Sequence, residues 1–464
     1  MADYGSLDTL IVEAKKSAID AYMRERKYVD IEGQYFRSFG EGDITVVTKP
    51  DSEGLGGGEL LHGLFFPGEE SYPDAFNSIR SRVDKAIGKW RGLPKPGDLD
   101  EPIARCEEVY SAVASEVLTG GTSSEGEAGI FDSEVSYLLQ QAGSLLEDMS
   151  GSAITAFRDN FLSESQRILN NQCLLALGIE AGLVAEKKAI EGARQAVADA
   201  VDQAQKSFAL IASGSGGGKG IDLAFDLLSA VLKIAETVLG KDKPVTAKQL
   251  DIGSTLVTTA DGIGDTLRTF HPAGDYTSVM TQFENALKTL EDDFKQLETL
   301  VNMNLKVDGS IARHEGNRSE FDLKYRSLRS DDVDDIDKGP NSPSREVELQ
   351  IPDTNLALEI SDVYLPEAAS AINGAASNVR SINVPLNRDG DVGFGPKGPS
   401  ESFHELTNLL AALLVDMSQD VEAGAVNFRM VIQMYEEADD ANAKSLDSVA
   451  NTLDTYTELT DPMQ

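Results

Sequence analysis

The sequence predicts a mainly α-helical fold: an elongated antiparallel helical bundle or coiled coil with a small β-hairpin insertion near 318–352. Three observations predict it. Apolar residues recur at spacings of three and four along most of the chain, the signature of helices with one buried face. The stretch 152–212, if unbroken, would run roughly 90 Å at a rise of about 1.5 Å per residue, which suits a bundle of long helices better than a compact globule. Between 318 and 352 the period changes to two. Phe321, Leu323 and Tyr325 alternate with charged residues, as do Val347, Leu349 and Ile351. Two such runs read as a hairpin across a long loop.

The elements follow in order. Residues 1–30 place Leu7, Leu10, Ile11, Ala14, Ala18 and Tyr22 near one face of a helix. Residues 31–72 are Gly-rich and read as loops with short strands around Ile44 to Val47. A helix from Pro73 to Trp90 carries Phe76, Ile79, Val83 and Ile87 at helical spacing. The run Gly92-Leu93-Pro94-Lys95-Pro96-Gly97 ends it. The next helix, about 99–118, groups Ile103, Cys106, Val109, Tyr110, Val113 and Val117, and 119–128 is an acidic Gly/Ser loop. From Phe131 to Ala212 the pattern is helical again, with a stripe of Ile190, Ala193, Val197, Val201, Ala204, Phe208 and Ile211 stopped by the Gly/Ser run at 213–220. Amphipathic segments at 221–239 and 246–270 follow.

Phe283, Leu287, Leu290, Phe294, Leu297 and Val301 then alternate four and three, the seam of a coiled coil. Glu284, Lys288, Glu291, Asp292, Asp293, Lys295 and Glu298 read as its solvated face. A helix from Leu356 to Ile382, a loop at 383–400, and a stripe from Phe403 through Leu406, Leu410, Leu413, Met417, Val421, Ala425, Phe428 and Ile432 to Tyr435 complete the chain. A helical extension carries Leu446, Val449, Leu453 and Tyr456. The expected division is 1–72, an N-terminal helix and irregular region; 73–305, the long bundle; 306–352, the β-hairpin with its acidic loop; and 353–464, a helical hairpin with a tail.

Composition narrows the function. The 464 residues carry 78 Asp and Glu against 41 Lys and Arg, a net charge of −37. Such a chain repels phosphate backbones, so nucleic acid is not an expected partner, and it lacks the basic clusters that seat proteins on anionic lipid. Charged residues interrupt every apolar stretch of the first thirty residues, so no cleaved secretory signal is expected there. The most apolar stretch, Ile221 to Leu239, contains Asp222, Asp226, Lys233 and Glu236.

Catalytic and cofactor chemistry is not evident. His62, His271, His314 and His404 have no partner at metal-ligand spacing. The run Gly214-Ser215-Gly216-Gly217-Gly218-Lys219-Gly220 fails as a phosphate loop. Its lysine is followed by Gly220 instead of Ser or Thr, and the opening glycine is replaced by Ser213. Asn387, Asp389 and Asp391 mimic the start of a calcium loop, but Val392 and Gly398 stand where that loop needs Gly and Glu. The acidic run Asp331, Asp332, Asp334, Asp335 and Asp337 is a second calcium alternative to a plain solvated loop. Cys106 and Cys173 either pair with each other or stay as buried thiols. No catalytic, cofactor-binding or metal residue is assigned, and a non-enzymatic protein is the expectation.

Three local features resemble those of the actinobacterial type VII (ESX) secretion substrates, in particular the longer relatives of the WXG-type helical hairpins. Trp90-Arg91-Gly92 lies at the end of an amphipathic helix, where that family's Trp-x-Gly marks the turn between two antiparallel helices. Met149-Ser150-Gly151-Ser152-Ala153-Ile154-Thr155-Ala156-Phe157-Arg158 is similar to the family's turn and second-helix start, with Met149 in the tryptophan's place. Tyr435-Glu436-Glu437-Ala438-Asp439 has the Tyr-x-x-x-Asp spacing that serves as part of the family's export signal. The tyrosine-to-acid spacing occurs at three places, Tyr4/Asp8, Tyr28/Glu32 and Tyr435/Asp439, and only the last follows a long helical hairpin.

The resemblance covers roughly 73–212 and 356–464. It implies a secreted or secretion-associated protein acting by helix–helix contacts, with the secretion machinery as partner and Tyr435, Asp439, Trp90 and Gly92 as signal or interaction residues. It also implies export without a cleaved signal peptide, the protein being cytoplasmic beforehand. The alternative is a pore-forming or oligomeric assembly protein that inserts or assembles through 221–270, meeting a membrane only conditionally. A homo-oligomer is compatible with both.

Overall fold

A computed structural model describes residues 2–40, 43–63, 70–114, 133–214, 222–223, 268–269, 274–323 and 350–459, with side chains of the last helix described as far as 441 and at 444. The fold is mainly helical with one small four-stranded antiparallel sheet. The helices are α1 (Leu7–Glu25), α2 (Tyr72–Ile87), α3 (Asp100–Val113), α4 (Glu134–Leu145), α5 (Ser152–Ala156), α6 (Ser163–Ala212), α7 (Tyr276–Arg313), α8 (Arg318–Phe321), α9 (Thr354–Glu359), α10 (Leu365–Ser381) and α11 (Ser400–Leu459). The strands are β1 (Val29–Ile31), β2 (Gln34–Ser38), β3 (Ile44–Thr48) and β4 (Leu60–His62), plus a two-stranded pair of β5 (Asp222–Leu223) and β6 (Arg268–Thr269).

The chain groups into two compact units, each drawn from three separate stretches. The first holds 1–100, 181–305 and 384–403. The second holds 101–180, 306–383 and 404–464. This spatial grouping is not sequential along the chain.

In the first unit the sheet is a meander, β1-β2-β3-β4, with Tyr35 opposite Val47 in register. Tyr35 and Val47 are buried. The Tyr35 ring meets Phe76 of α2 edge-on at 6.0 Å, and its hydroxyl donates to Asp20 of α1 at 2.5 Å. Tyr28 and Tyr72 share a hydrogen bond between their hydroxyls at 2.6 Å. Ser71 caps α2 by accepting from the Asp74 amide, and Pro73 sits in the first turn, where its missing N–H costs nothing. The stripe Phe76, Ile79, Val83 and Ile87 is buried, as is the whole seam Phe283, Leu287, Leu290, Phe294, Leu297 and Val301 of α7. Arg82 pairs with Glu284, and Lys89 with Glu291. Both links span 202 residues, so α2 and α7 advance side by side in the same direction. These two neighbours are therefore parallel.

In the second unit α4 ends in the turn Leu146–Gly151, whose glycine has φ +129°, and the chain enters α5. A π-helical turn, Phe157–Leu162, joins α5 to α6, and a second, Ile360–Tyr364, joins α9 to α10. The first π turn presents Phe157 and Phe161 as a stack at 4.9 Å, with Phe157 stacked on Phe428 of α11 at 4.5 Å. Gly424 of α11 lies against the Phe161 ring, where a Cβ would collide with it. The helix spanning 354–381 covers the predicted Leu356–Ile382 element, with the π turn inside it.

The β-hairpin expected near 318–352 is corrected where its first run is described, and its residues 324–349 lie outside the described residues. Arg318–Phe321 is a helical turn. Its carbonyls are held by α6: Asn171 donates to the Glu320 oxygen and Gln172 to the Phe321 oxygen, each at 2.7 Å. Three alternating apolar residues are a short signal, and the two amides anchor a different backbone. Of the second run, among the described residues, Ile351 is buried without strand pairing and Gln350 makes an isolated antiparallel bridge to Ser150. The four-stranded sheet lies at 29–62 and includes the strand anticipated at Ile44 to Val47. Tyr325, Val347 and Leu349, the Asp331–Asp337 run, the loop at 119–128 and nearly all of 221–270 lie outside the described residues.

Candidate functional site

Trp90 is fully buried at the end of α2, in a 3-10 turn Gly88–Trp90. Its indole meets Phe294 of α7 edge-on at 6.3 Å. Its carbonyl accepts from the Tyr4 hydroxyl, which also accepts from the Leu93 amide at 3.3 Å. Gly92 follows with φ +74°, a conformation that favours glycine, and a Cβ there would run into the Asp389 carboxylate. Gly390 approaches the Lys89 backbone so closely that a Cβ would overlap it. The turn is therefore clamped by the 384–399 loop of the same unit. The next helix, α3, belongs to the second unit from Glu101 onward.

The loop is organised by charge. Arg388 and Glu298 form an ion pair with both side chains at 0% exposure. Arg388 also donates to the Val392 carbonyl at 3.2 Å, its backbone amide donates to Pro396 at 2.9 Å, and its guanidinium lies 5.1 Å from the Phe294 ring centre. Glu298 accepts from the Phe394 amide with its other oxygen. Glu186 of α6 is buried beside this pair, and neither of its carboxylate oxygens has a hydrogen-bond partner among the described residues. Burial, and then the Glu298 charge, push the Glu186 carboxyl well above its usual range, with Arg388 pulling the other way. By periodicity alone Glu298, between seam positions, falls on the solvated face. Its partner, 90 residues away in a Gly-rich loop, is invisible to helical periodicity.

Two further buried carboxyls lie in the second unit. Glu180 is pushed up to about 7 by burial, with Glu107 adding to the rise and a hydrogen bond from Tyr110 opposing it. Asp308 is pushed up to about 8 by burial alone, and its Oδ1 has no partner among the described residues. Cys106 and Cys173 are free, buried thiols, and burial raises both far above the range in which a thiolate forms, so neither suits nucleophilic work. Asn387, Asp389 and Asp391 are exposed. No group of three His, Cys, Asp or Glu side chains among the described residues is placed to hold a metal ion.

Tyr435 and Asp439 lie on α11, in the second unit. The buried stripe of this helix ends at Ile432. Beyond it Tyr435 is half-buried, and Glu436, Glu437, Ala438, Asp439 and Asp440 are exposed. Val426, Met430 and Met434, four residues apart, form an exposed apolar row at 56%, 48% and 70% exposure. The structure thus pairs Tyr435 with Asp439 on one accessible helix segment, while Trp90 and Gly92 belong to the clamped turn of the other unit. The Met149–Gly151 feature is the turn between α4 and α5, with Met149 buried, and α4 packs on the π turn that follows.

One continuous helical stretch, Ala153–Ala212, contains a window long and apolar enough to cross a membrane; 72% of that window is buried within the chain itself. A core helix passes the same test. No family model, no curated protein and no solved structure matches this chain.

Proposed function

We propose that this protein is a non-enzymatic helical protein exported by, or working with, a type VII (ESX-like) secretion system, and that it acts through helix–helix contacts. The observation that carries the reading is the state of α11 around Tyr435. The helix continues past the last buried position, Ile432, and presents Tyr435 and Asp439 one turn apart with Asp439 in solvent. A tyrosine and a carboxylate at this spacing share a helix face and form a compact patch that a partner can read without unfolding the core. The exposed apolar row of Val426, Met430 and Met434 lies on another face of the same helix and is separate from this patch.

Trp90 and Gly92 take a structural role in this reading. They fix the end of α2, and the fully buried Trp90 is not available to a partner, while Gly92 is exposed. The secretion machinery is the expected partner, and the cytoplasm the compartment before export. The test is export from an actinobacterial host with and without a working type VII motor. Tyr435→Ala and Asp439→Ala should retain the protein in cells while leaving its fold intact. Release into the medium that ignores both the motor and the substitutions excludes the reading.

A further inference from the structure

The face between α2 and α7 in the first unit holds a hollow of about 470 Å³, lined by Arg82, Lys85, Ala86 and Lys89 of α2 and Glu284, Leu287 and Lys288 of α7. The helices run parallel here, so the lining repeats by turns. At one end Arg82 grips Glu284 at 2.9 Å through two nitrogens. At the other Lys89 pairs with Glu291. Both ends are neutralised.

Between them the pattern breaks. Lys85 and Lys288 line the hollow at adjacent levels, both are exposed, and neither has an ion-pair partner among the described residues. Beside them Ala86 and the buried Leu287 supply an apolar wall. The arrangement runs against the rest of the chain, where acids outnumber bases 78 to 41, whereas the lining has four cations and one carboxylate. Two unpaired ammonium groups on one cavity repel each other, and a shared anion relieves that repulsion. The volume is in the range that takes a small organic ligand.

We infer that this groove is a binding site for a small phosphate-class dianion carrying an apolar substituent. Lys85 and Lys288 hold the charged group from the two helices, and Ala86 and Leu287 meet the apolar part. Arg82 and Lys89, already paired, frame the slot. This site is independent of the export reading, because it needs nothing from α11.

The test is calorimetric titration of the full chain with phenyl phosphate and with inorganic phosphate at low salt. Saturable binding of phenyl phosphate is expected, tighter than that of inorganic phosphate and weakened by added salt. Lys85→Glu with Lys288→Glu should weaken it by about tenfold or more. Lys206→Glu, which alters a lysine paired with Asp202 outside the groove, should leave it unchanged. Circular dichroism checks folding, and Lys85→Met with Lys288→Met replaces the charge-reversed pair should that one misfold. Absence of saturable binding to the wild-type chain overturns the site. So does affinity that survives the double substitution, falls equally in Lys206→Glu, or is the same for both probes.

Discussion

Arg388 meets Glu298 where solvent reaches neither side chain. The contact ties a 384–399 loop to the middle of α7, and with it the turn at Trp90. A buried pair of this kind is costly to half-remove, because the survivor is left charged and unpaired. Glu298→Gln is expected to destabilise the protein by about 3–5 kcal/mol. Glu298→Gln together with Arg388→Met should recover part of that loss. Denaturant midpoints of the two variants check this, and equal losses for the single and double variants would contradict it.

Gly393 has φ +64° and lies against the Glu298 carboxylate, so any Cβ there pushes on the ion pair. Gly393→Ala therefore combines backbone strain with displacement of Glu298, at a cost of about 1–3 kcal/mol. Gly143, which has open space around its missing Cβ, is the matched control. Gly143→Ala in the interior of α4 should be neutral or stabilising, by up to about 1 kcal/mol. Thermal melts of the two variants should shift in opposite directions or differ clearly in size.

Buried acids set the dependence of stability on pH. Asp308 is held up to about 8 and Glu180 up to about 7, against ordinary carboxyl values near 4. Between these limits the folded chain binds more protons than the unfolded chain, so the slope of stability with pH is negative. The contribution of the two groups is fully present below about pH 4 and is lost as pH rises towards 7 and 8. Asp308→Asn removes one of the protons at issue. Its melting temperature should exceed the wild type's at pH 8, and the gap should shrink at pH 5. A gap that widens on acidification would contradict the assignment.

Trp90 is the chain's only tryptophan and is fully buried beside Phe294. Its fluorescence therefore reports the α2–α7 contact without interference. The native emission should be blue-shifted and poorly quenched by iodide. Trp90→Ala should cost about 3–5 kcal/mol by leaving a cavity. An emission maximum typical of a solvated indole would contradict the burial.

Much of the helical fold is legible in the sequence, because a buried stripe writes its own period. The α7 seam from Phe283 to Val301 is buried at every position read from spacing, and so is the α2 stripe from Phe76 to Ile87. Periodicity sees one helix at a time, however. It does not show that α2 and α7 run parallel, since that depends on which distant charges meet, as in Arg82 with Glu284. Glu298 sits at a position polar enough to look solvated, and only Arg388 in a loop makes its burial tolerable. Phe321 had the alternation of a strand, but Asn171 and Gln172 hold its segment in a helical turn. Of the site residues, Tyr435 and Asp439 lie as their spacing implies, on one exposed helix segment. Trp90 and Gly92 were legible as a turn, whereas the loop that abuts it was not.

The central proposal is export read from α11, and one measurement addresses it most directly. The intact protein is quantified in culture medium and in cells of a type VII-competent actinobacterial host, for the wild type, Tyr435→Ala and an isogenic strain lacking the secretion motor. The prediction is release of the wild type only, with Tyr435→Ala folded but retained and the motor-deficient strain releasing none. Equal release of wild type and Tyr435→Ala, release without the motor, or no release of the wild type would contradict it.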